Sequence, residues 1–229
     1  MTGDTLRSAR KRRGWTQSEA GARLGVSQAY VALLENNARS VPPKLARKAV
    51  RVFGLPPVFL PLTGKRPSKV TPNELTRDFS RLGYPGFAHV RGGWRKNPGE
   101  VLLAALAQPE LESRVAEALP WLLLNYPNLD NKWLGDQARL LNLTNRLGFV
   151  VDLALRVAEK KGEMNSERCQ ALANLANTLR HSRLEAEDTF AQSSLSDTER
   201  NWLRANRGSE ADFWHLLTDW RPELLQYPQ

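Results

Sequence analysis

The side chains best suited to read another molecule lie together in the segment "GVSQAYVALLEN", residues 25–36. Gln28 carries an amide with an acceptor and two donors, and an outward glutamine near the start of a helix can make two hydrogen bonds to adenine in the DNA major groove. Ala29 and Leu33 offer methyl groups of the kind that contact thymine methyls. We therefore predict that Gln28, Ala29 and Leu33 contact base edges.

A second set of side chains is suited to the phosphate oxygens of DNA, which fix register without reading sequence. This set comprises Gln17, Ser27, Tyr30, Asn36, Asn37, Arg39, Lys11 and Arg12. Tyr30 is equally suited to packing in a core. Residues 1–53 hold eleven Lys and Arg against three Asp and Glu, so their charge favours a polyanionic partner.

Two short helices must position these side chains. The segment "TQSE" predicts a capping box that opens the first helix at Thr16. That helix ends at Leu24, and Gly25 suits the left-handed residue that follows a helix. Ser27 caps the second helix, which we expect over residues 28–36. Such a pair, joined by a tight turn, predicts that the second helix presents its outer face to DNA.

The segment "RSARKRRGWTQSEAGARLGVSQAYVALLEN" resembles the phage-repressor type of helix-turn-helix, the Cro/C1 or Xre class. With the later "PPKLAR" and "FGLPPVFL", the resemblance covers residues 4–62 and implies a five-helix DNA-binding domain. It implies that Gln17 and Gln28 lie at the DNA, and that Arg10 and Glu35 form a structural ion pair. Gly21 stands where the family usually has Ala, which we expect to cost about 1 kcal/mol of helix stability.

The rest of the chain predicts an all-α protein in three parts. Residues 1–62 form the helix-turn-helix domain, and residues 63–99, rich in Gly, Pro and basic residues, read as a linker with a short strand or hairpin near residues 87–90. Residues 100–229 carry apolar stripes near the helical period and predict a helical bundle or array for dimerisation or partner binding. Within the linker, the basic residues around Trp94 either grip nucleic acid or, as we prefer, are solvated beside a docked Trp94.

The composition of the chain limits the classes of function that it can have. The first 100 residues hold 19 basic and 6 acidic residues, a net charge of +13, whereas residues 101–229 hold 14 and 18, a net charge of −4. Cys169 is a lone cysteine, which fits a reducing cytoplasm, and the three histidines lack metal-ligand spacing. The apolar runs are too short to cross a membrane, and no motif of an enzyme occurs. We expect a cytoplasmic protein with no catalytic residues, metal or other cofactor.

The second half is less specific. Five of the seven tryptophans lie there, at helical spacing that favours a core. Asn142, Asn145 and Arg146 either bridge helices or line a partner surface, and the acidic residues near residue 187 read as a solvated helix face. The stretch from "GWRKNPGEVLL" to "RLGFVVDLA" is similar to a region of bacterial regulators encoded beside nucleotidyltransferase-type toxins, which implies an antitoxin.

Together these features predict a sequence-specific DNA-binding transcriptional regulator. One short recognition helix reads few base pairs, so we expect a homodimer that represses by binding a palindromic operator in double-stranded DNA. Two alternatives concern residues 100–229. In the first alternative, the protein is an antitoxin that binds a toxin protein and represses its own operon. In the second, it senses a small ligand through a pocket among the tryptophans.

Overall fold

Short helices with well-defined caps build the N-terminal part of the chain. The computed structural model describes residues 1–63, 70–93, 95–163 and 165–225. The chain divides into two compact units, Met1–Gly64 and Lys65–Gln229. The first unit ends within two residues of the boundary predicted at residue 62.

The first unit contains four α-helices and a 3-10 turn in its described residues. They are α1 (Gly3–Arg12), α2 (Gln17–Leu24), α3 (Gln28–Glu35), α4 (Pro43–Phe53) and the turn Pro57–Phe59. The fifth element is a single turn because the prolines of "LPPVFLPL" remove the amide donors that a longer helix needs. The helices enclose one apolar core, to which Leu6, Leu24, Leu34 and Phe53 contribute.

The second unit contains eight α-helices and one pair of short strands in the part that the structure describes. The helices are α5 (Pro72–Leu82), α6 (Pro98–Leu106), α7 (Ser113–Asn125), α8 (Asn131–Leu140), α9 (Thr144–Lys160), α10 (Glu167–Arg180), α11 (Asp197–Asn206) and α12 (Ser209–Phe213). The strands β1 (Asp188–Thr189) and β2 (Leu216–Leu217) pair in parallel, with Asp188 opposite Leu216. The fold is all-α, as the sequence predicts.

Helix α9 is the centre of the second unit. It is buried on most of its circumference and contacts α7, α8, α10 and α12. Trp214 is fully buried against it, and a Cβ at Gly148 would lie 2.3 Å from the Trp214 ring. The indole nitrogen of Trp214 donates a hydrogen bond of 2.7 Å to Asp152. Glycine at position 148 therefore lets the tryptophan lie directly on the backbone of α9.

The predicted linker over residues 63–99 is wrong where the structure describes it. Helix α5 begins with a capping box between Thr71 and Glu74 and buries Leu75 and Phe79 in the core of the second unit. The predicted short strand or hairpin near residues 87–90 is absent from this described segment, and a 3-10 turn occupies Pro85–Phe87. Trp94 lies outside the described residues.

The apolar stretch from residue 132 to 162 forms two helices, because Asn142 adopts a left-handed conformation with φ of 57° between α8 and α9. Two further expectations for the second unit need correction. The acidic residues near position 187 are not on a helix, and Asp188 pairs with Arg146 at 2.7 Å. Trp202 is not in the core, since 57% of it is exposed.

The polar residues at the start of α9 bridge distant segments. Asn145 exchanges two hydrogen bonds with the backbone of Leu184, at 2.9 and 2.8 Å. Arg146 also donates to the carbonyl oxygens of Leu106 and Gln108. Of the two interpretations left open by the sequence, the structure supports bridging for Asn145 and Arg146, whereas Asn142 is exposed in the turn between α8 and α9. In the described residues, no helix has the length and apolar character needed to cross a membrane.

Candidate nucleic-acid interface

Local hydrogen bonds fix the ends of α2 and α3. The Thr16 amide donates to the Glu19 carboxylate at 2.7 Å, and the Glu19 amide donates to the Thr16 hydroxyl at 3.2 Å, which completes the predicted capping box. Gly25 ends α2 with φ of 72°, and the Ser27 hydroxyl accepts from the Tyr30 amide at 3.2 Å. The turn between the helices is therefore set by residues within it.

The backbone of α2 lies very close to this turn at Gly21. A Cβ at Gly21 would lie only 2.7 Å from the carbonyl oxygen of Val26. Ala20 beside it is almost fully buried. Because no side chain fits between the two segments, the first residues of α3 are held against α2.

Helix α3 has distinct inner and outer faces. Val31, Leu34 and Glu35 are fully buried. Gln28, Ala29 and Leu33 are exposed, and Leu33 leaves 43% of its surface in solvent. At 100° per residue these three positions span an arc of about 140° on the helix. The structure thus brings the three predicted base-contacting residues onto one exposed face.

A buried ion pair lies behind this face. Glu35 is fully buried and receives two hydrogen bonds from the Arg10 guanidinium, at 2.6 and 2.9 Å. Burial alone would raise the pKa of Glu35, but the hydrogen bonds from Arg10 and Gln17 and the Arg10 charge bring that pKa below its ordinary value. Glu35 is therefore an anion at neutral pH.

The ion pair connects to Gln28 through Gln17. The Gln17 amide nitrogen donates to Glu35 at 3.1 Å, and the Gln28 amide nitrogen donates to the Gln17 oxygen at 2.8 Å. A carboxylate only accepts, so Gln17 must turn its nitrogen to Glu35 and its oxygen to Gln28. The charge of Glu35 therefore determines which way both glutamine amides point.

This arrangement leaves Gln28 able to bind a base. One of its two N–H groups is used by Gln17, so one N–H and the amide oxygen stay available. Adenine presents one acceptor and one donor in the major groove, which is the complement of that remaining pair. Sequence reasoning placed Gln17 on the DNA backbone and missed its contact with Gln28. The signal for it was that each glutamine is the first residue of its helix.

The residues predicted to contact phosphates differ in their freedom. Lys11 and Arg12 are exposed on α1, and their side chains make no hydrogen bond or ion pair with described residues. Arg39 is exposed at 6.0 Å from the Tyr30 ring centre. These three cations therefore have their charge available to an anionic partner.

The two asparagines after α3 are tied to α1. The Asn37 oxygen accepts from the Gly3 amide at 2.9 Å, and its nitrogen donates to Asp4 at 3.1 Å. Asn37 also has φ of 57°, which suits Asn better than most residues. The Asn36 oxygen accepts from Arg7. Their first role is to hold α3 on α1, which the sequence did not indicate.

The described residues contain no group of three or more His, Cys, Asp or Glu placed to hold a metal ion. The interface is thus a surface of amides, methyl groups and free cations. Such a surface fits nucleic acid, which combines base edges with phosphates.

Comparison with known proteins agrees with this geometry over the first unit. A family model described as "Helix-turn-helix" matches residues 6–60. Neither the curated proteins nor the solved structures contain a match to the chain. Residues 6–60 form a helix-turn-helix domain of the Cro/C1 type, which supports a DNA-binding transcriptional regulator.

Proposed function

We propose that the protein is a dimeric transcriptional repressor that reads a palindromic operator with α3. The observation that carries this proposal is Gln28, which is exposed at the start of α3 and oriented by Gln17. Base contacts by Gln28, Ala29 and Leu33 would occur in the major groove, which is wide enough to admit a helix.

The side chains around α3 fit the contacts that hold such a helix in register. Lys11, Arg12 and Arg39 supply free positive charge, whereas Gln17 is bonded to Gln28 and acts largely through it. Ser27 and Tyr30 mark the N-terminus of α3, where backbone amides also attract phosphate. Asn36 retains a free nitrogen, whereas Asn37 is the weakest candidate because its amide is largely occupied within the unit.

We infer a dimer from the short length of α3. Helix α3 has eight residues, which reach only a few base pairs. Two copies about 34 Å apart would read two half-sites one helical turn apart. Occupying a promoter in this way blocks transcription, so repression in the cytoplasm is the mechanism that we propose.

The test is the affinity of Gln28→Ala for DNA. An operator is first selected from random duplexes with the full wild-type chain. We expect Gln28→Ala to lose about 1–3 kcal/mol of binding free energy, concentrated at one base step. Gln170→Ala, at an exposed glutamine of α10, is the matched control and should bind as the wild type does. If Gln28→Ala binds the operator with unchanged affinity, α3 is not the reading helix.

The antitoxin and ligand-sensor alternatives concern the second unit and are compatible with DNA binding. An antitoxin would co-purify with the product of a neighbouring gene, and that complex would bind the same operator. A ligand sensor needs a cavity near the tryptophans, and the structure contains one.

A further inference from the structure

A cavity of about 650 Å³ opens in the second unit beside the carboxyl ends of β1 and β2. This volume falls within the range of about 300–1,000 Å³ that is typical of small-molecule sites. Residues 190–192 follow β1 and residues 218–220 follow β2, and both segments line the cavity. Helix α11 and residues 110–113 close its other sides. Segments far apart in sequence therefore converge on one concave surface.

The cavity has aromatic and apolar walls. Phe190, Leu203 and Leu217 are buried and line it. Trp202 and Trp220 also line it, and Trp202 is more than half exposed. Tryptophan is the best aromatic ring for binding a cation on its face.

Three carboxylates line the same cavity, and each keeps an oxygen unused. Four donors from Ser193 and Ser194 bind a single oxygen of Glu110, at 2.7–3.0 Å. Glu199 likewise uses one oxygen to cap α11 at Ser196. Asp219 is exposed and makes no hydrogen bond with any described residue. At least one oxygen of each carboxylate is thus free to accept from a ligand.

None of these three carboxylates forms an ion pair with a described residue. Hydrogen bonds from the Ser193 side chain and from the backbone of Ser193 and Ser194 lower the pKa of Glu110 to about 2. Hydrogen bonds from Ser196 lower the pKa of Glu199. None of the described residues that line the cavity is Lys, Arg or His. The charged residues that line the cavity are therefore all acidic, which favours a cationic ligand.

A second hollow of the same unit shows the contrast. It lies beside α9 and α12, has a volume of about 500 Å³, and contains carboxylates that are already paired. Arg156 binds both Glu159 and Glu210, and Lys160 binds Glu223. Its described lining includes no aromatic residue. The carboxylates of this second hollow are thus paired with cations, whereas those of the tryptophan-lined cavity are not.

We infer that the tryptophan-lined cavity binds a small organic cation, an ammonium or guanidinium group carried on an apolar or aromatic body. The rings would take the body and the face of the cation, and the free carboxylate oxygens would accept its N–H groups. The three carboxylates do not form a group that could hold one metal ion, so an extended ligand suits them better. Anions are disfavoured because the charged residues of the lining are all carboxylates, and the capping box of Ser196 and Glu199 already occupies two amides at the N-terminus of α11. The site lies in the second unit alone and does not depend on the proposed base contacts.

The test uses phenethylammonium as the probe and the full chain labelled with nitrogen-15. We expect the probe to shift the indole N–H resonances of Trp202 and Trp220 saturably, and to leave that of buried Trp121 unchanged. The neutral isostere 2-phenylethanol and the anion phenylacetate should each bind at least about tenfold more weakly, because they cannot use the carboxylates. Equal binding of either compound, or no saturable shift by about 10 mM phenethylammonium, would overturn the site.

Two variants test the residues themselves. Asp219→Asn and Trp202→Ala should each weaken phenethylammonium binding about two- to fivefold, the range expected for a partly exposed charge or ring contact. Both residues are exposed, so the variants should melt like the wild type. Glu223→Gln removes an equal charge from the second hollow and should not change binding. If Glu223→Gln weakens binding as much as Asp219→Asn, only the net charge of the unit attracts the probe, and the site is wrong.

Discussion

The amide nitrogen of Gln28 donates a hydrogen bond to the amide oxygen of Gln17 across 2.8 Å. Both residues begin a helix, so the contact joins the starts of α2 and α3 on the exposed side of the unit. Buried Glu35 sets the direction of this hydrogen bond, because its carboxylate accepts a hydrogen bond from the Gln17 amide nitrogen and leaves the Gln17 oxygen for Gln28. The structural core and the surface that we propose to contact DNA are therefore connected through a single side chain, Gln17.

Gln17 should act on DNA largely through Gln28. We expect Gln17→Ala to weaken operator binding, because Gln28 then samples other rotamers and binds its base at an entropic cost. The double variant Gln17→Ala/Gln28→Ala should lose less binding free energy than the two single variants lose together, with a coupling energy of about 0.5–1.5 kcal/mol. The measurement is a double-mutant cycle of dissociation constants on the selected operator.

A duplex of unrelated sequence provides the control for that cycle. Positioning of Gln28 matters only where a base is read, so Gln17→Ala should leave affinity for unrelated DNA nearly unchanged. A phosphate contact by Gln17 would instead lower affinity for both duplexes. Additive losses together with weaker binding to unrelated DNA would show that Gln17 is a backbone contact, as its position in sequence alone suggests.

The ends of α2 and α3 could be predicted because their signals are local. Thr16, Ser27 and Gly25 act on residues within four positions of themselves, and the exposure of Gln28 follows from the helical period. The segment at residues 71–83 carries equally local signals, a capping box at Thr71 and a stop at Gly83. Its Gly, Pro and basic surroundings predict a linker, although these local signals encode α5.

Other features could not be predicted because they join distant residues. Asp188 meets Arg146 across 42 positions in sequence. The pairing of β1 with β2 joins Asp188 to Leu216, 28 positions further along the chain. No periodicity within a short window reports such contacts. The same holds for the tryptophan-lined cavity, since helical spacing placed Trp202 in a core from which the tertiary fold excludes it. The amide contact between Gln17 and Gln28 also required the crossing geometry of two helices.

The free cations of α1 should contribute affinity without specificity. Replacing Lys11 and Arg12 together by Gln should weaken binding to the operator and to unrelated DNA by similar factors. The slope of log affinity against log salt should fall by about two, since each phosphate contact releases counterion. Lys132→Gln, at a side chain of the second unit that is 90% exposed, is the control and should leave the slope unchanged. A loss confined to the operator would assign these residues to base reading instead.

The ion pair of Arg10 with Glu35 should make the first unit sensitive to acid. The folded pKa of Glu35 is below its ordinary value, so its stabilisation is present above about pH 4.3 and is lost as pH falls through the folded pKa. Glu35→Gln at neutral pH leaves Arg10 without its anion and should cost about 3–5 kcal/mol. Hydrogen exchange of amides in α3 and α4 of the full chain measures both effects.

The pH dependence of the stability difference between wild type and Glu35→Gln distinguishes the effect of this ion pair from general acid sensitivity. The stability advantage of wild type over Glu35→Gln should shrink steadily as Glu35 is protonated, because neither chain then has a carboxylate at that position. Glu19→Gln retains the capping box of α2 and provides a surface control with a small difference at every pH. A wild-type advantage that stays constant from neutral pH to pH 3 would mean that the charge of Glu35 contributes nothing.

Alanine at Gly21 should destabilise the first unit, although helix propensity alone predicts a gain of about 1 kcal/mol. Its Cβ would lie 2.7 Å from the Val26 carbonyl oxygen, a backbone atom that moves only if the turn before α3 moves. We expect a loss of about 1–3 kcal/mol, typical of overpacking. Gly135, inside α8, is the matched control because no atom lies within 4 Å of its added Cβ, and Gly135→Ala should stabilise its own unit. Calorimetry of the two full-length variants measures both signs, and a Gly21→Ala chain that melts higher than wild type would show that α2 and the turn are not in close contact.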